Sequence, residues 1–364
     1  MNINANDLLV LHLNVNRTVG DETTHYSYFA ENNVDVKQTL NKLVKTDLLK
    51  ISNNLEMSLP KLTVPLLKDI LRKNNLMVSG KKQELINRII NNPDKIDKAK
   101  LDLPLVYIST EKGQKIINET EYILHFQKSY LISLPRAHKV AVNNINADDK
   151  IEAIYMNEIK YEKDVNYDRP RLNRLFVSLA NYYRKSKQKK ENARTFYNLA
   201  YYIQIEENLF YLAETRFDDE EIKNNLTNMY LEPDYLITDF YEQLIYVDEL
   251  SEGLLERLFI KDIENYYVVD EVLAKSIIQY LISFVKKRPN DESYRLIIEY
   301  ADKLHGNRAE NYESNYYDDT KHSSSSENIK DKTQKEISKT ATKSGSGCLL
   351  YLAIIGGITA KFFM

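Results

Sequence analysis

The chain predicts a mainly α protein of two or three folded units, and three features carry that expectation. Over 160–304, apolar residues recur at helical spacing, as in Leu172, Leu175, Phe176, Leu179 and Tyr183 and again in Leu273, Ile277, Ile278, Leu281 and Phe284. In the same stretch Gly is nearly absent, and Pro170, Pro233 and Pro289 stand at joints. The third feature is a short basic string at 61–92 with the apolar spacing of two helices around a loop. A length of 364 residues exceeds what one hydrophobic core usually organises.

In chain order, residues 1–130 read as a small mixed domain. Asp35 caps a helix whose apolar face is Val36, Leu40, Leu43 and Val44, with Gln38 three residues after the cap. Asp47-Leu48-Leu49-Lys50-Ile51 is a turn into a short strand. Far downstream, Tyr107-Ile108-Ser109 is a second strand, followed through Thr110-Glu111-Lys112-Gly113 by a helix containing Ile116 and Ile117. The helix and two strands resemble the recognition helix and wing of a winged-helix domain, with Ser109 where that pattern prefers Leu. More than fifty residues separate Ile51 from Tyr107, so 61–92 would be an insertion at the wing. The plainer alternative is an α/β linker region with a helical hairpin in it. Lys37, Asn41, Lys42 and Lys45 on the first of these helices form a second possible DNA surface, set against a merely solvated face.

Within 61–92, Val64, Leu67 and Leu71 line one helix, with Thr63 as its expected cap and Pro65 in its first turn. Leu85, Ile86 and Ile89 line the other, and Leu76 plugs the turn between them. The loop Ser79-Gly80-Lys81-Lys82 offers a Ser cap, a Gly that permits close approach and two ammonium groups at a helix N-terminus. Free N–H groups and the helix dipole make that place a phosphate seat. Seven basic residues, among them Lys61, Arg72 and Arg88, stand against Asp69 and Glu84, a local +5 in a chain of formal charge −3.

The string resembles the SAP family through Leu62, Val64, Leu67, Leu71, Leu76, Gly80, Lys82, Leu85 and Arg88. It departs at Asn75, where the family usually has Gly; Asn is the next residue most tolerant of a left-handed backbone. The resemblance implies a grip on duplex DNA with little sequence reading, through Ser79, Gly80, Lys81, Lys82 and Arg88, with Lys61 and Arg72 as further cations. The layout of a winged helix plus SAP motif resembles proteins of bacteria and phages.

The region 160–304 is expected to be an all-α bundle or solenoid. Ala180-Asn181-Tyr182-Tyr183 and Ala200-Tyr201-Tyr202 hint at repetition, but no steady period near 34 appears, which favours a non-repeating bundle. An unknown protein partner is expected for it. Residues 306–346, with Ser323–Ser326 and almost no apolar side chains, read as a disordered linker. The apolar stretch Cys348–Met364 would reach about 25 Å as a helix, just under the ~30 Å hydrocarbon core. Preceded by Lys330, Lys332, Lys335, Lys339 and Lys343, it reads as a C-terminal membrane anchor, the alternatives being a docked helix or an oligomerisation stripe.

Composition excludes several classes. The near-neutral charge rules out a histone-like surface, and abundant Asn, Lys, Ile and Tyr without Trp is what an AT-rich coding sequence produces. With Cys348 alone, no intramolecular disulfide or CxxC zinc site can form, which points to a reducing cytoplasm. No secretory signal is read at the N-terminus. His12, His25, His125, His138, His305 and His322 lack metal-ligand spacing, so no cofactor or metal is expected. Asp148-Asp149, the acidic run 218–221 and the set Asp270, Glu271 and Lys275 read as solvated or structural rather than catalytic. The expectation is a non-enzymatic DNA-binding adaptor in the cytoplasm, attached to the inner face of the membrane by its tail. The competing reading is a helical protein–protein scaffold whose hairpin binds no nucleic acid.

Overall fold

Side chains that accept from unpaired first-turn N–H groups set the starts of many helices. Asn4 and Asp7 cap one another's backbone at 2.9 and 3.0 Å and open α1 (Ala5–Asn14). Asp35 accepts from Gln38 N at 2.9 Å and opens α3 (Val36–Lys45), as its sequence predicts. Between them lies the five-residue α2 (Ser27–Glu31), which buries Phe29. The computed structural model describes residues 3–24, 26–97, 100–214 and 230–304, with backbone alone for 210–214. The expected linker at 306–346 and apolar tail at 348–364 lie outside these residues. Among the described residues, no helix is long and apolar enough to cross a membrane.

Asp47 takes a left-handed conformation (φ 59°) and turns the chain into β1 (Leu49–Ser52). Its partner is β2 (Val106–Ser109), antiparallel in the register Leu49↔Ser109 to Ser52↔Val106. Thr18 adds an isolated antiparallel bridge to Val106. Thr110 then caps α7 (Glu111–Glu119) by accepting from Gly113 N at 3.0 Å while donating to Asp47 O at 2.6 Å. A side chain at Gly113 would run into the Leu48 carbonyl, so Gly is what lets α7 lie against the β1 turn.

The segment between the strands makes its own layer. It holds α4 (Leu55–Ser58), a 3₁₀ turn at Leu59–Lys61, α5 (Val64–Lys73) and α6 (Lys82–Ile90). Leu59, Leu62, Leu67, Leu71, Leu85, Ile86, Ile89 and Ile96 close a core separate from the main one. Helices this short are stabilised by that shared apolar contact rather than by propensity.

After α8 (Tyr122–Phe126) and α9 (Leu134–Asn143), the chain is built from longer helices: α10 (Lys150–Tyr161), α11 (Arg169–Tyr182) and α12 (Lys190–Glu214). They continue as α13 (Tyr235–Glu242), α14 (Glu252–Glu264), α15 (Glu271–Val285) and α16 (291–304). α10, α11 and α13 each widen at the end into a π-helical turn, at Glu162–Asn166, Tyr183–Lys187 and Gln243–Val247. Left-handed Tyr167 and Gln188 then reverse the chain after the first two. α12 packs along α11 and also touches α13, α14 and α15, while α13 touches both α11 and α15.

Two buried ion clusters tie these helices together. Arg136 reaches Glu158 at 2.7 Å, and Arg171 reaches Glu162 at 2.9 Å. Arg194 forks onto Asp262 at 2.9 and 3.3 Å, and Asn198 and Thr195 donate to the same carboxylate at 2.9 and 3.0 Å. Removed from water, these carboxylates persist because each has charged or polar donors. One main core runs from Ala5 in α1 to Ala301 in α16, and α9 and α10 lie within it.

Candidate nucleic-acid interface

The loop between α5 and α6 is shaped by two residues outside the usual L-amino-acid conformations. Asn75 sits at φ 55°, the left-handed position expected of it, and Leu76 N then donates to Leu71 O at 2.9 Å. Gly80 sits at φ 123°, and a Cβ there would meet the Glu84 carboxylate. That position belongs to Gly alone.

Two local expectations are corrected. Ser79 does not cap α6: the helix starts later, with Lys81 as the residue before its first turn and no side-chain cap bond. The Glu84 carboxylate instead accepts the Lys81 N–H at 3.3 Å, so an acid reaches back to the helix start and leaves the Ser79 hydroxyl outside it. Likewise Thr63 stands at the cap of α5 without a side-chain hydrogen bond, because Pro65 in the first turn removes one of the donors a cap would satisfy.

The basic residues divide sharply by what they touch. Arg88, half-buried on α6, donates to the Met77 carbonyl at 2.6 Å and the Ser79 carbonyl at 2.9 Å. Lys82 donates its ammonium to Pro60 O at 2.6 Å, across 22 residues of chain. Arg72 pairs with Asp69 at 2.7 Å on the exposed side of α5. Lys61 and Lys81 are exposed. The Lys82 bond brings Pro60, and with it Lys61, beside the start of α6. Thus Ser79, Gly80, Lys81, Lys82 and Lys61 gather around one loop, Arg88 braces it from behind, and Arg72 is engaged locally. The inward roles of Lys82 and Arg88 and the capping role of Glu84 carry no signal in the sequence pattern.

On α3, Lys37, Asn41 and Lys45 are exposed at four-residue steps, which sets them in one row. Lys42 turns away from that row to the buried carboxylate of Asp7 at 2.6 Å. Elsewhere, Asp149 and Asp270 make structural contacts, while the acidic run 218–221 lies outside the described residues. Asp149 caps α10 and holds Lys187 at 2.9 Å and the Tyr182 hydroxyl at 2.8 Å. Burial pushes its carboxyl up in pKa, but Lys187, the Glu152 N–H and Tyr182 outweigh that and hold it below the usual carboxylate value. Asp270 caps α15 by accepting from Leu273 N at 3.0 Å, and Lys275 pairs with Glu256 at 3.2 Å. Among the described residues, no group of three His, Cys, Asp or Glu side chains is placed to hold a metal.

No curated protein matches the chain. Compared with known families, the segment from Ser58 to Asn92 matches the SAP domain, beginning at the buried last residue of α4 and ending just past α6. Residues 58–92 are a SAP domain.

Proposed function

We propose that the chain is a non-catalytic nucleic-acid-binding adaptor whose SAP domain grips the backbone of duplex DNA with little sequence preference. SAP domains generally bind nucleic acid, which makes DNA the first partner to test. The observation that carries the reading is the start of α6: exposed Lys81 and Lys61 beside a first turn that no side chain caps from its front, in a segment of local charge +5. Glu84 takes the Lys81 N–H alone, and the rest of that first turn, with cations around it, favours a phosphate over any neutral group. Backbone contact of this kind reads shape and charge, not base edges.

The surrounding unit supports a winged-helix reading. Its order is α1, the Thr18 bridge, α2, α3 and the pair β1–β2, and the SAP domain occupies the connection where a wing tip would lie. The exposed row of Lys37, Asn41 and Lys45 on α3 is then a second DNA-facing surface, and two tethered contacts would add avidity. The stacked helices α10–α16 contribute a protein-binding surface. The apolar stretch 348–364 anchors the protein to the inner face of the membrane, on the strength of its apolar sequence and the lysines before it.

Fluorescence anisotropy of a labelled duplex tests the DNA reading. Full-length protein should bind with affinity that falls steeply as salt rises, and Lys81→Ala with Lys61→Ala should weaken it. Equal, salt-independent binding by both forms overturns the reading and favours a scaffold. Fractionating cells that express the full chain and a form ending at Gly345 tests the anchor: both staying soluble excludes it.

A further inference from the structure

We infer that the cations of the SAP loop divide by role: Arg88 and Lys82 are positioning residues that hold the loop, and Lys61 and Lys81 meet the phosphates. The assignment rests on the nucleic-acid reading above. Its basis is geometric. The Arg88 guanidinium gives its Nη1 to the carbonyls of Met77 and Ser79, at 2.6 and 2.9 Å, tying α6 to the strand of loop that leads into Gly80. Both are charge-assisted bonds, and together they fix the guanidinium against the loop backbone. Lys82 does the same on the other side, fixing the first residue of α6 to Pro60 O at 2.6 Å.

The two braced points have free cations as their chain neighbours. Lys61 follows Pro60, and Lys81 precedes Lys82. Both are exposed, and among the described residues neither ammonium has a hydrogen-bond or ion-pair partner. Each brace therefore presents one mobile ammonium beside the open turn of α6. Arg72 falls in neither group, since Asp69 holds it on the surface of α5.

Two measurements on the full-length chain separate the roles. The first is amide hydrogen exchange, without DNA, at Leu76 and Leu85, whose N–H groups bond Leu71 O at 2.9 Å and Lys81 O at 3.1 Å on either side of the loop. Arg88→Met should accelerate it by about tenfold or more, since each lost bond to a charged donor is worth about 1.5–3 kcal/mol. Arg88→Lys, which keeps donors at that place, should restore slow exchange, and this second variant guards against simple misfolding. The second is the salt dependence of duplex binding. Lys61→Gln and Lys81→Gln should each reduce the log–log slope by about 0.9, the loss of one phosphate contact. Arg88→Lys and Lys82→Arg should leave it unchanged. If Arg88→Met leaves exchange in the free chain as it was while the slope falls by about 0.9, Arg88 is itself a phosphate contact and the division is overturned. Wild-type protein with no salt-dependent binding would instead overturn the nucleic-acid reading and the roles of Lys61 and Lys81 with it. The exchange arm decides the braces in either case.

Discussion

Gly80 holds a backbone conformation (φ 123°) that costs other residues about 1–3 kcal/mol, and a methyl there would also press on the Glu84 carboxylate that reaches back to Lys81. Gly80→Ala is therefore expected to lower the stability of the SAP domain by that amount and to weaken duplex binding, read by urea unfolding and anisotropy. Three histidines make a second prediction at this scale. His12, His125 and His138 are each pushed below the ordinary imidazole pKa, in every case chiefly by burial. His125 lies among Phe126, Tyr155 and Tyr182, with Nε2 3.1 Å from the Tyr155 hydroxyl. Neutral in the folded chain, these rings take up protons more readily when it unfolds, so the unfolded state binds more protons below about pH 6.5. Stability should be fully present above that value and fall as the pH drops through the lowered folded pKa values. Denaturant midpoints at pH 7.5 and at pH 5.5 check the sign, and His125→Phe should shrink the difference.

At the scale of elements, the SAP domain stands on a core of its own. Leu71 and Leu85 are fully buried in it, and removing a buried leucine to alanine costs about 2–5 kcal/mol. So small a core cannot absorb that loss. Leu85→Ala should let α5 and α6 exchange their amides freely while α11 and α12, in the main core, keep their protection; equal loss in both would mean a single cooperative unit. What the sequence made legible follows from local chemistry. The start of α3 is fixed by Asp35 and a 3.6-residue apolar period, the turn after α5 by Asn75, and the apolar faces of the hairpin by leucines at helical steps. Elements of four or five residues such as α2 and α4 are too short to show a period. The partners of Lys82 and Arg88 lie 22 and up to 11 residues away, and no spacing rule specifies them. The π-helical ends of α10 and α11, which bury Glu162 and Tyr183, likewise have no signal in the apolar spacing.

Across the whole molecule, the arrangement of buried charge decides how cooperatively the helices stand together. Asp262 on α14 is nearly inaccessible and accepts from Arg194, Thr195 and Asn198 on α12, while the Tyr241 hydroxyl on α13 donates to the Asn198 side-chain oxygen at 2.6 Å. Through Asn198, the network around this carboxylate links three helices. Replacing it with alanine leaves the Arg194 guanidinium without its counter-charge in a place water scarcely reaches, and breaking a buried pair in this way costs about 3–5 kcal/mol. For a body of this size such a loss lowers the unfolding temperature by about 10 °C. Asp262→Asn, which keeps the acceptor oxygen and loses the charge, should fall between wild type and alanine. Because the main core continues from α14 through α10 and α9 to α1, the loss should not stay where it is made. Amide protection in α1 and α3 is expected to fall together with that of α12 and α14 in Asp262→Ala. If α1 and α3 keep wild-type protection while α12–α15 open, the chain from 1 to 130 is an independent folding unit, and the shared core does not couple the two ends.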